Sequence, residues 1–205
     1  IPTGSFYSSY VQTYLQRELS RLIAIKDLMG FRKFLGLCAT RAGQLLNMNS
    51  LANECGISQP TTKSWISALE SSYVVFMLQP FHENFSKRLV KTPKLYFYDT
   101  GLLCYLLKIK HHDQVLTHSF KGFLFENMMV AEYVKRMYHK NDLHDICFWR
   151  DSSGNEVDLI EQEGLNLKLT EIKSTQTVMP ELFKGFRYFE QHSKNEHLQR
   201  ILVYT

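Results

Sequence analysis

The pattern of apolar and polar positions is most regular in the second half of the chain. Alternation over 155–174, interrupted at 163–164, predicts two half-buried strands joined as a hairpin. Apolar residues spaced three and four apart predict a helix over 122–140. Further runs predict a strand over 146–149, a helix over 180–191 and a strand over 201–204. The predicted order of elements is therefore α-β-β-β-α-β.

Charged residues of the predicted hairpin fall on matching positions. Side chains two apart on a strand share a face, so Glu156 and Asp158 point the same way. Glu171 and Lys173 do the same on the second strand. Where the two faces coincide, three carboxylates and one ammonium converge. Such a group suits Mg²⁺, with the lysine orienting water or stabilising charge on a phosphate. The alternative is a solvated face with cross-strand ion pairs.

A carboxylate also interrupts the apolar side of the helix predicted over 122–140. Glu126 lies among hydrophobic residues such as Phe125, Met129 and Val130. A lone carboxylate in that position is costly unless it is paired or bound to a metal ion. Glu126 is therefore expected to have a charged partner or a metal.

The first half of the chain is predicted to be mainly helical. Apolar residues at helical spacing predict helices over 7–28 and 31–41, and Asp99 is the predicted cap of a hydrophobic helix over 101–107. We expect this last helix to be buried and to bridge two domains.

A helix-turn-helix is predicted within 50–70. Ser50 can cap a short helix over 51–55, Gly56 allows a sharp turn, and Ser58 can cap the next helix. The seam between the helices would be filled by Ile57, Trp65, Ile66 and Leu69.

Polar and basic residues make this region a candidate DNA-binding domain. Strands predicted over 73–78 and 95–98 would form a wing, and the loop between them is rich in lysine and arginine. The candidate nucleic-acid contacts are Gln59, Thr61, Thr62 and Lys63 on the second helix and Lys87, Arg88, Lys91 and Lys94 in the loop. One alternative is a winged helix that serves only packing or dimerisation. Another is contact of the basic loop with RNA.

Composition limits the class of protein. A chain of 205 residues with 44% hydrophobic content can form two small domains, and no apolar run is long enough to span a bilayer. The four cysteines lack the spacing of a zinc site or a disulfide framework, so we expect reduced thiols in the cytoplasm. The net charge of +4 permits nucleic-acid binding without arguing for it. Because the chain begins without Met, we expect it to be part of a longer protein.

Two resemblances follow from these motifs. Asp158 and Glu171-Ile172-Lys173 resemble the Asp…Glu-x-Lys signature of the PD-(D/E)xK nuclease superfamily, with Val157 where the name has proline. The whole chain resembles the C-terminal half of a family of prokaryotic ATP-binding proteins. In that family an AAA+-type ATPase module precedes a winged helix and a restriction-endonuclease-like domain of unknown function. The runs that carry this resemblance are 10–15, 51–53 with 56–61, 87–101, 125–127 and 148–158.

The resemblance implies an α+β or α/β chain, with a helical winged-helix domain followed by an αβββαβ restriction-endonuclease-like domain. The implied boundaries are 1–30 for the tail of the ATPase module, 31–99 for the winged helix, 100–120 for a linker and 121–205 for the nuclease-like domain. No phosphate-binding loop of the Gly-x-x-x-x-Gly-Lys type occurs, so ATP would bind only through the missing module.

The resemblance also implies roles for the charged residues. Glu126, Asp158 and Glu171 would be ligands of Mg²⁺ or Mn²⁺, Lys173 would position the attacking water, and Glu156 would support the ligands. The expected activity is metal-dependent cleavage of duplex DNA, and the expected partners are DNA, the chain's own ATPase module and further copies of the chain. The alternative is an inactive nuclease-like module that binds DNA or protein and regulates the ATPase.

Overall fold

The computed structural model describes residues 3–15, 27–81, 90–141, 145–193 and 195–205. The chain is mixed α+β, as expected from the sequence. Its internal contacts divide it into two units, 1–77 with 95–124 and 78–94 with 125–205. The boundaries implied by the resemblance, after 30, 99 and 120, remain predictions. None of the helices in the described ranges has the length and apolar character needed to cross a membrane.

Helices make up most of the first unit. They are α1 (Thr3–Ser9), which continues as a π-helix (Tyr10–Leu15), α2 (Leu28–Ala39), α3 (Met48–Cys55), α4 (Gln59–Ser71), α5 (Thr100–Leu106) and α6 (His112–Thr117). The helix predicted over 7–28 can be followed only to residue 15, because 16–26 lie outside the described residues. The predictions for α2 and α5 are confirmed to within a few residues.

Local capping chemistry sets the ends of several helices. Gly56, at a φ of +81°, ends α3, and the Ser58 side chain accepts a hydrogen bond near the start of α4, both as predicted. Asp99 caps α5 by accepting from the backbone N–H of Leu102. The predicted Ser50 cap is wrong. The helix begins three positions earlier, at Met48, because the Asn47 side chain accepts from its first free N–H groups.

The pair α3 and α4 packs on α2 through aromatic rings. Trp65 meets Phe31 and Phe34 edge to face, with ring centroids 5.2 and 5.1 Å apart. Ile66 and Leu69 are buried beside Trp65, as predicted for the seam, while Ile57 is only half-buried at its edge.

One mixed sheet contains all the strands found in the described ranges. They are β1 (Val75–Pro80), β2 (Lys94–Phe97), β3 (Asp145–Arg150), β4 (Glu156–Glu163), β5 (Asn166–Lys173) and β6 (Leu198–Tyr204). The strand order is β2-β1-β3-β4-β5-β6. The pairs β3–β4 and β4–β5 are antiparallel, whereas β1–β3 and β5–β6 are parallel. The two strands predicted to form a separate wing thus belong to a larger sheet, because β1 also pairs with β3.

Two further helices accompany the sheet. Helix α7 (Lys121–Lys140) precedes β3, and a 3₁₀ turn (Pro180–Phe183) leads into α8 (Lys184–His192), which connects β5 to β6. The predicted order α-β-β-β-α-β is therefore present from α7 to β6. The core of the second unit includes Trp149 and Val157 from the strands and Phe186 and Phe189 from α8.

Helix α8 approaches strand β4 at Gly185. A Cβ atom built on Gly185 would overlap the backbone carbonyl oxygen of Glu156 and would lie 3.4 Å from Oε2 of Glu171. Glycine allows this approach because it has no side chain. The helix therefore closes directly over the backbone that carries Glu156.

We expect the substitution Gly185→Ala to lower the free energy of unfolding by about 2–3 kcal/mol, because a methyl group would displace α8 from β4. Gly122→Ala is the matched control, since nothing lies within 4 Å of the added Cβ in α7. The control should change stability by less than about 1 kcal/mol. Urea unfolding of both variants measures the difference, and equal effects would contradict the packing account.

Candidate metal centre

The hairpin of β4 and β5 brings Asp158 and Glu171 to neighbouring positions. Leu159 lies opposite Thr170 in the antiparallel register, so the preceding and following residues are also across from each other. The backbone N–H of Ile172 donates to Oδ2 of Asp158 at 2.8 Å. Asp158 is only 3% exposed, so this bond fixes a carboxylate that water hardly reaches.

Lys173 joins the two carboxylates. Its Nζ lies 2.8 Å from Oδ2 of Asp158 and 2.8 Å from Oε1 of Glu171. Burial alone would lower the pKa of Lys173, but the charges of Asp158 and Glu171 raise it above its ordinary value. Lys173 is therefore an ammonium at neutral pH. It can donate hydrogen bonds and stabilise negative charge, but it does not accept a proton.

Glu171 has an oxygen without a partner. Its Oε2 is buried and has no hydrogen bond among the described residues. Burial, and then the charge of Asp158, raise the pKa of Glu171 to about 8, against the opposing effect of Lys173. An unsatisfied buried carboxylate oxygen is costly, and a cation or a proton would relieve that cost.

A triad of carboxylates lies beside this pair. Glu126 of α7 and Glu156 and Asp158 of β4 each place one oxygen within 4.8 Å of the others. Glu126 was expected from the sequence to be a ligand, and Glu156 to support the ligands. The structure brings both into the same triad, and Glu171 joins the cluster through Lys173.

Lys94 occupies the interior of this cluster. Its Nζ lies 2.9 Å from Oε1 of Glu126, contacts Oε1 of Glu156, and lies 5.5 Å from the centre of the Phe148 ring. The sequence led us to expect Lys94 on an exposed basic loop, but it is 2% exposed. All residues of β2 are buried, so a lysine at its first position needs buried counter-charges, and the two glutamates supply them.

The turn between β3 and β4 holds Glu156 from its other side. Arg150 donates to Oε2 of Glu156 at 2.9 Å. The carboxylate of Asp151 accepts from the backbone N–H groups of Ser153 and Asn155, both at 2.9 Å. Burial tends to raise the pKa of Asp151, but hydrogen bonds from the Asn155 side chain and from these backbone N–H groups lower it below its usual value. The turn is thereby fixed immediately before the triad.

The candidate nucleic-acid contacts differ in their exposure to solvent, although all were expected to be accessible. Gln59, Lys63 and Lys91 are exposed, and Thr61 is half-buried. Thr62 is fully buried, because it shares the inner face of α4 with Trp65, and its hydroxyl donates to the carbonyl of Ser58. Lys94 is buried as described above. Lys87 and Arg88 lie outside the described residues.

Sequence reasoning missed Lys94, Arg150 and Gly185 as parts of the site. Lys94 follows Pro93 and directly precedes an apolar strand, and this position is a signal of burial that could have been used. Arg150 is the last residue of β3 and Gly185 is the second residue of α8, and neither position carries a local signal of its role.

Family models match both parts of the chain. Residues 2–113 match a domain of unknown function (DUF8612), and residues 121–205 match a second domain of unknown function (DUF4143). The first match covers more than half of the chain, so the chain belongs to the DUF8612 family.

Curated relatives are found in mycobacteria. An uncharacterized protein of Mycobacterium bovis and one of Mycobacterium tuberculosis are each 29% identical over 191 residues, which cover 90% of this chain. The chain spans 41% of the length of these relatives. No solved structure matches the chain.

The raised pKa of Glu171 predicts a pH dependence of stability. In the unfolded chain this carboxyl ionises near pH 4.5, but in the fold it ionises near pH 8, so its protonated form favours folding. Stability should therefore fall as the pH rises from about 4.5 to about 8. In metal-free buffer at pH 9, we expect Glu171→Gln to recover on the order of 1–4 kcal/mol relative to the native chain.

The control is Glu132→Gln, which removes one negative charge from an exposed side chain of α7. Chemical unfolding between pH 5 and 9 gives the free energy of unfolding of the native chain, Glu171→Gln and Glu132→Gln. If Glu171→Gln leaves the slope of stability with pH unchanged, Glu171 is not the group that titrates.

Proposed function

We propose that the second unit is a metal-dependent phosphodiesterase that cleaves DNA. One observation carries this proposal. Asp158 and Glu171 lie together on adjacent strands, share the ammonium of Lys173, and leave Oε2 of Glu171 buried without a partner among the described residues. A solvated face of ion pairs would leave no such oxygen, because water would satisfy it.

The residues present fit Mg²⁺ or Mn²⁺. All the candidate ligands are carboxylate oxygens, which these hard cations prefer, and the unpartnered oxygen of Glu171 gives an ion a place to bind. Asp158 and Glu171 would hold the ion. The nuclease resemblance also implies Glu126, whose carboxylate contacts Lys94 in this structure. When bound, the ion would supply Lewis-acid polarisation of a phosphate oxygen and a more acidic water.

Lys173 has the properties of a phosphate-binding residue. Its side chain is 34% exposed, so its ammonium can meet a substrate arriving from solvent while it stays bound to Asp158. As a permanent cation it would stabilise negative charge that develops on the phosphate. Asp158 keeps it in position through the 2.8 Å hydrogen bond.

The first unit would bind duplex DNA through α4, in the manner of a winged helix. Gln59 and Lys63 are exposed near the start of this helix, and Gly56 with Ser58 fixes the turn before it. The second unit has an exposed cation of its own, Lys91. The net charge of +4 favours approach to a polyanion.

We also propose that the chain acts in the cytoplasm, attached to an ATPase module. The curated relatives are more than twice as long as the part that this chain covers. The second matched domain is commonly found in AAA-associated proteins. ATP binding in that module would then control access of DNA to the carboxylate cluster.

A second candidate function is a nuclease-like module without catalysis that binds DNA or protein. The contacts of Lys94 favour it, because an ammonium already neutralises Glu126 and Glu156. A cluster whose carboxylates are each paired with a lysine of the same unit can be stable without metal.

Titration with Mn²⁺ separates these two functions. We expect the native chain to bind Mn²⁺, and both Asp158→Ala and Glu171→Ala to lose that binding together with DNA cleavage, because each removes an oxygen ligand. Glu163→Ala, which truncates an exposed carboxylate at the end of β4, should behave as the native chain. Calorimetry and cleavage of supercoiled plasmid are the measurements. Absence of binding at millimolar Mn²⁺ would favour the module without catalysis.

DNA contact by α4 is tested with Lys63→Ala. Removing one phosphate contact should weaken binding to unrelated duplexes by a similar factor and reduce the slope of log affinity against log salt by about 1. Lys140→Ala removes an exposed lysine at the end of α7 and is the control. Fluorescence anisotropy at several salt concentrations gives both quantities. Equal slopes for the two variants and the native chain would argue against this interface.

A further inference from the structure

We propose that Lys94 takes the place of a metal ion in one half of the carboxylate cluster, so that the native chain binds a single divalent ion between Asp158 and Glu171. This inference rests on the proposed nuclease function. It adds the number of metal ions and the residue that sets that number. In this arrangement Glu126 serves the site through Lys94 rather than as a direct ligand.

The cluster has two halves, each with its own lysine. Lys94 binds Glu126 and Glu156, whereas Lys173 binds Asp158 and Glu171. The two lysines differ in their access to solvent. The side chain of Lys173 is 34% exposed, but that of Lys94 is 2% exposed. A cation arriving from solvent can therefore approach the half of the cluster that contains Lys173, whereas the half that contains Lys94 is enclosed.

Lys94 holds oxygens that a metal would otherwise use. Two of the three carboxylates whose oxygens lie within 4.8 Å of one another, Glu126 and Glu156, are in direct contact with its ammonium. A divalent ion bound to the same oxygens would lie beside a positive charge in poorly solvated surroundings. Coulomb repulsion over a few ångströms there is strong enough to exclude it.

The half of the cluster that contains Lys173 has a carboxylate oxygen that can still bind a ligand. Oε2 of Glu171 is buried and has no hydrogen bond among the described residues, although Oε1 is bound to Lys173. This oxygen is independent evidence for a ligand, since it does not depend on the proximity of the triad. The half with a satisfied, enclosed ammonium and the half with an unsatisfied oxygen therefore have different roles.

The number of bound ions tests the proposal. Calorimetric titration with Mn²⁺ should give one ion for the native chain. Lys94→Met keeps much of the side-chain length but removes the charge, and it should bind a second ion or bind Mn²⁺ at least about tenfold more tightly. Lys140→Met, at an exposed lysine at the end of α7, is the matched control and should bind as the native chain does.

A double variant tests whether the additional ion binds at the triad. Lys94→Met combined with Glu126→Gln should return to the native number of ions, because the triad has lost a ligand. Thermal unfolding gives a readout apart from activity. Lys94→Met should melt at a lower temperature than the native chain without Mn²⁺ and gain more from Mn²⁺. If Lys94→Met does not fold without metal, its refolding in Mn²⁺ becomes the readout, and Lys94→Gln, which keeps a hydrogen-bond donor, is the milder substitution.

The possible results separate this proposal from the nuclease proposal. Equal numbers of ions and equal affinities in the native chain and Lys94→Met would overturn the role of Lys94 and leave the nuclease function standing. Binding by Lys94→Met alone would show that Lys94 keeps metal out of the whole cluster, and it would overturn both the single native ion and the nuclease function. A Lys94→Met chain that stays unfolded in Mn²⁺, or no binding by either protein, would overturn the present inference.

Discussion

Compensation of buried negative charge is the constraint on which the second unit depends. Four carboxylates, from Glu126, Glu156, Asp158 and Glu171, lie within it at no more than partial exposure. Ionised groups in such surroundings are stable only when they are paired and hydrogen-bonded. Lys94 and Lys173 each contact two of these carboxylates, and Arg150 adds a fifth contact, to Glu156. The elements around the cluster are placed so that these contacts can form.

The positions of those elements depend on the strand register, on one turn and on one glycine. The β4–β5 register sets Asp158 across from Glu171, and the fixed turn at Asp151 sets where β4 begins. The absence of a side chain at Gly185 lets α8 close over the same backbone. A shift of one residue in β4 would turn its acids to the opposite face. Precise geometry therefore follows from electrostatics as much as from the hydrophobic core.

The parts of this structure that the sequence predicted are those that depend on local periodicity. The two-residue period of the hairpin gave the common face of Glu156 and Asp158, and helical spacing gave α7 and the unusual position of Glu126. Caps such as Ser58 were found because a capping side chain contacts groups only three positions away. In each case the decisive interaction is short-range or repeats with a fixed period.

The parts that were not predicted depend on contacts between distant positions. Lys94 meets Glu126 from 32 residues away, and only the assembly of the sheet shows that β2 is buried. The same holds for β1, whose pairing with β3 makes it a strand of the main sheet. Thr62 is a different case. Its spacing from Trp65 places it on the inner face of α4, but its polar hydroxyl, which donates to the carbonyl of Ser58, led to the prediction that it contacts nucleic acid.

The path of the chain through the second unit has a consequence for where the protein can be divided. Residues 121–205 match a family model of their own, so a cut before 121 would follow the sequence. The unit, however, also contains 78–94, and Lys94 is at the end of that segment. A piece cut at 121 would keep all four carboxylates and lose Lys94, the buried one of the two lysines that contact them. The stretch that matches the family model is therefore shorter than the stretch that supplies the counter-charges of the carboxylate cluster.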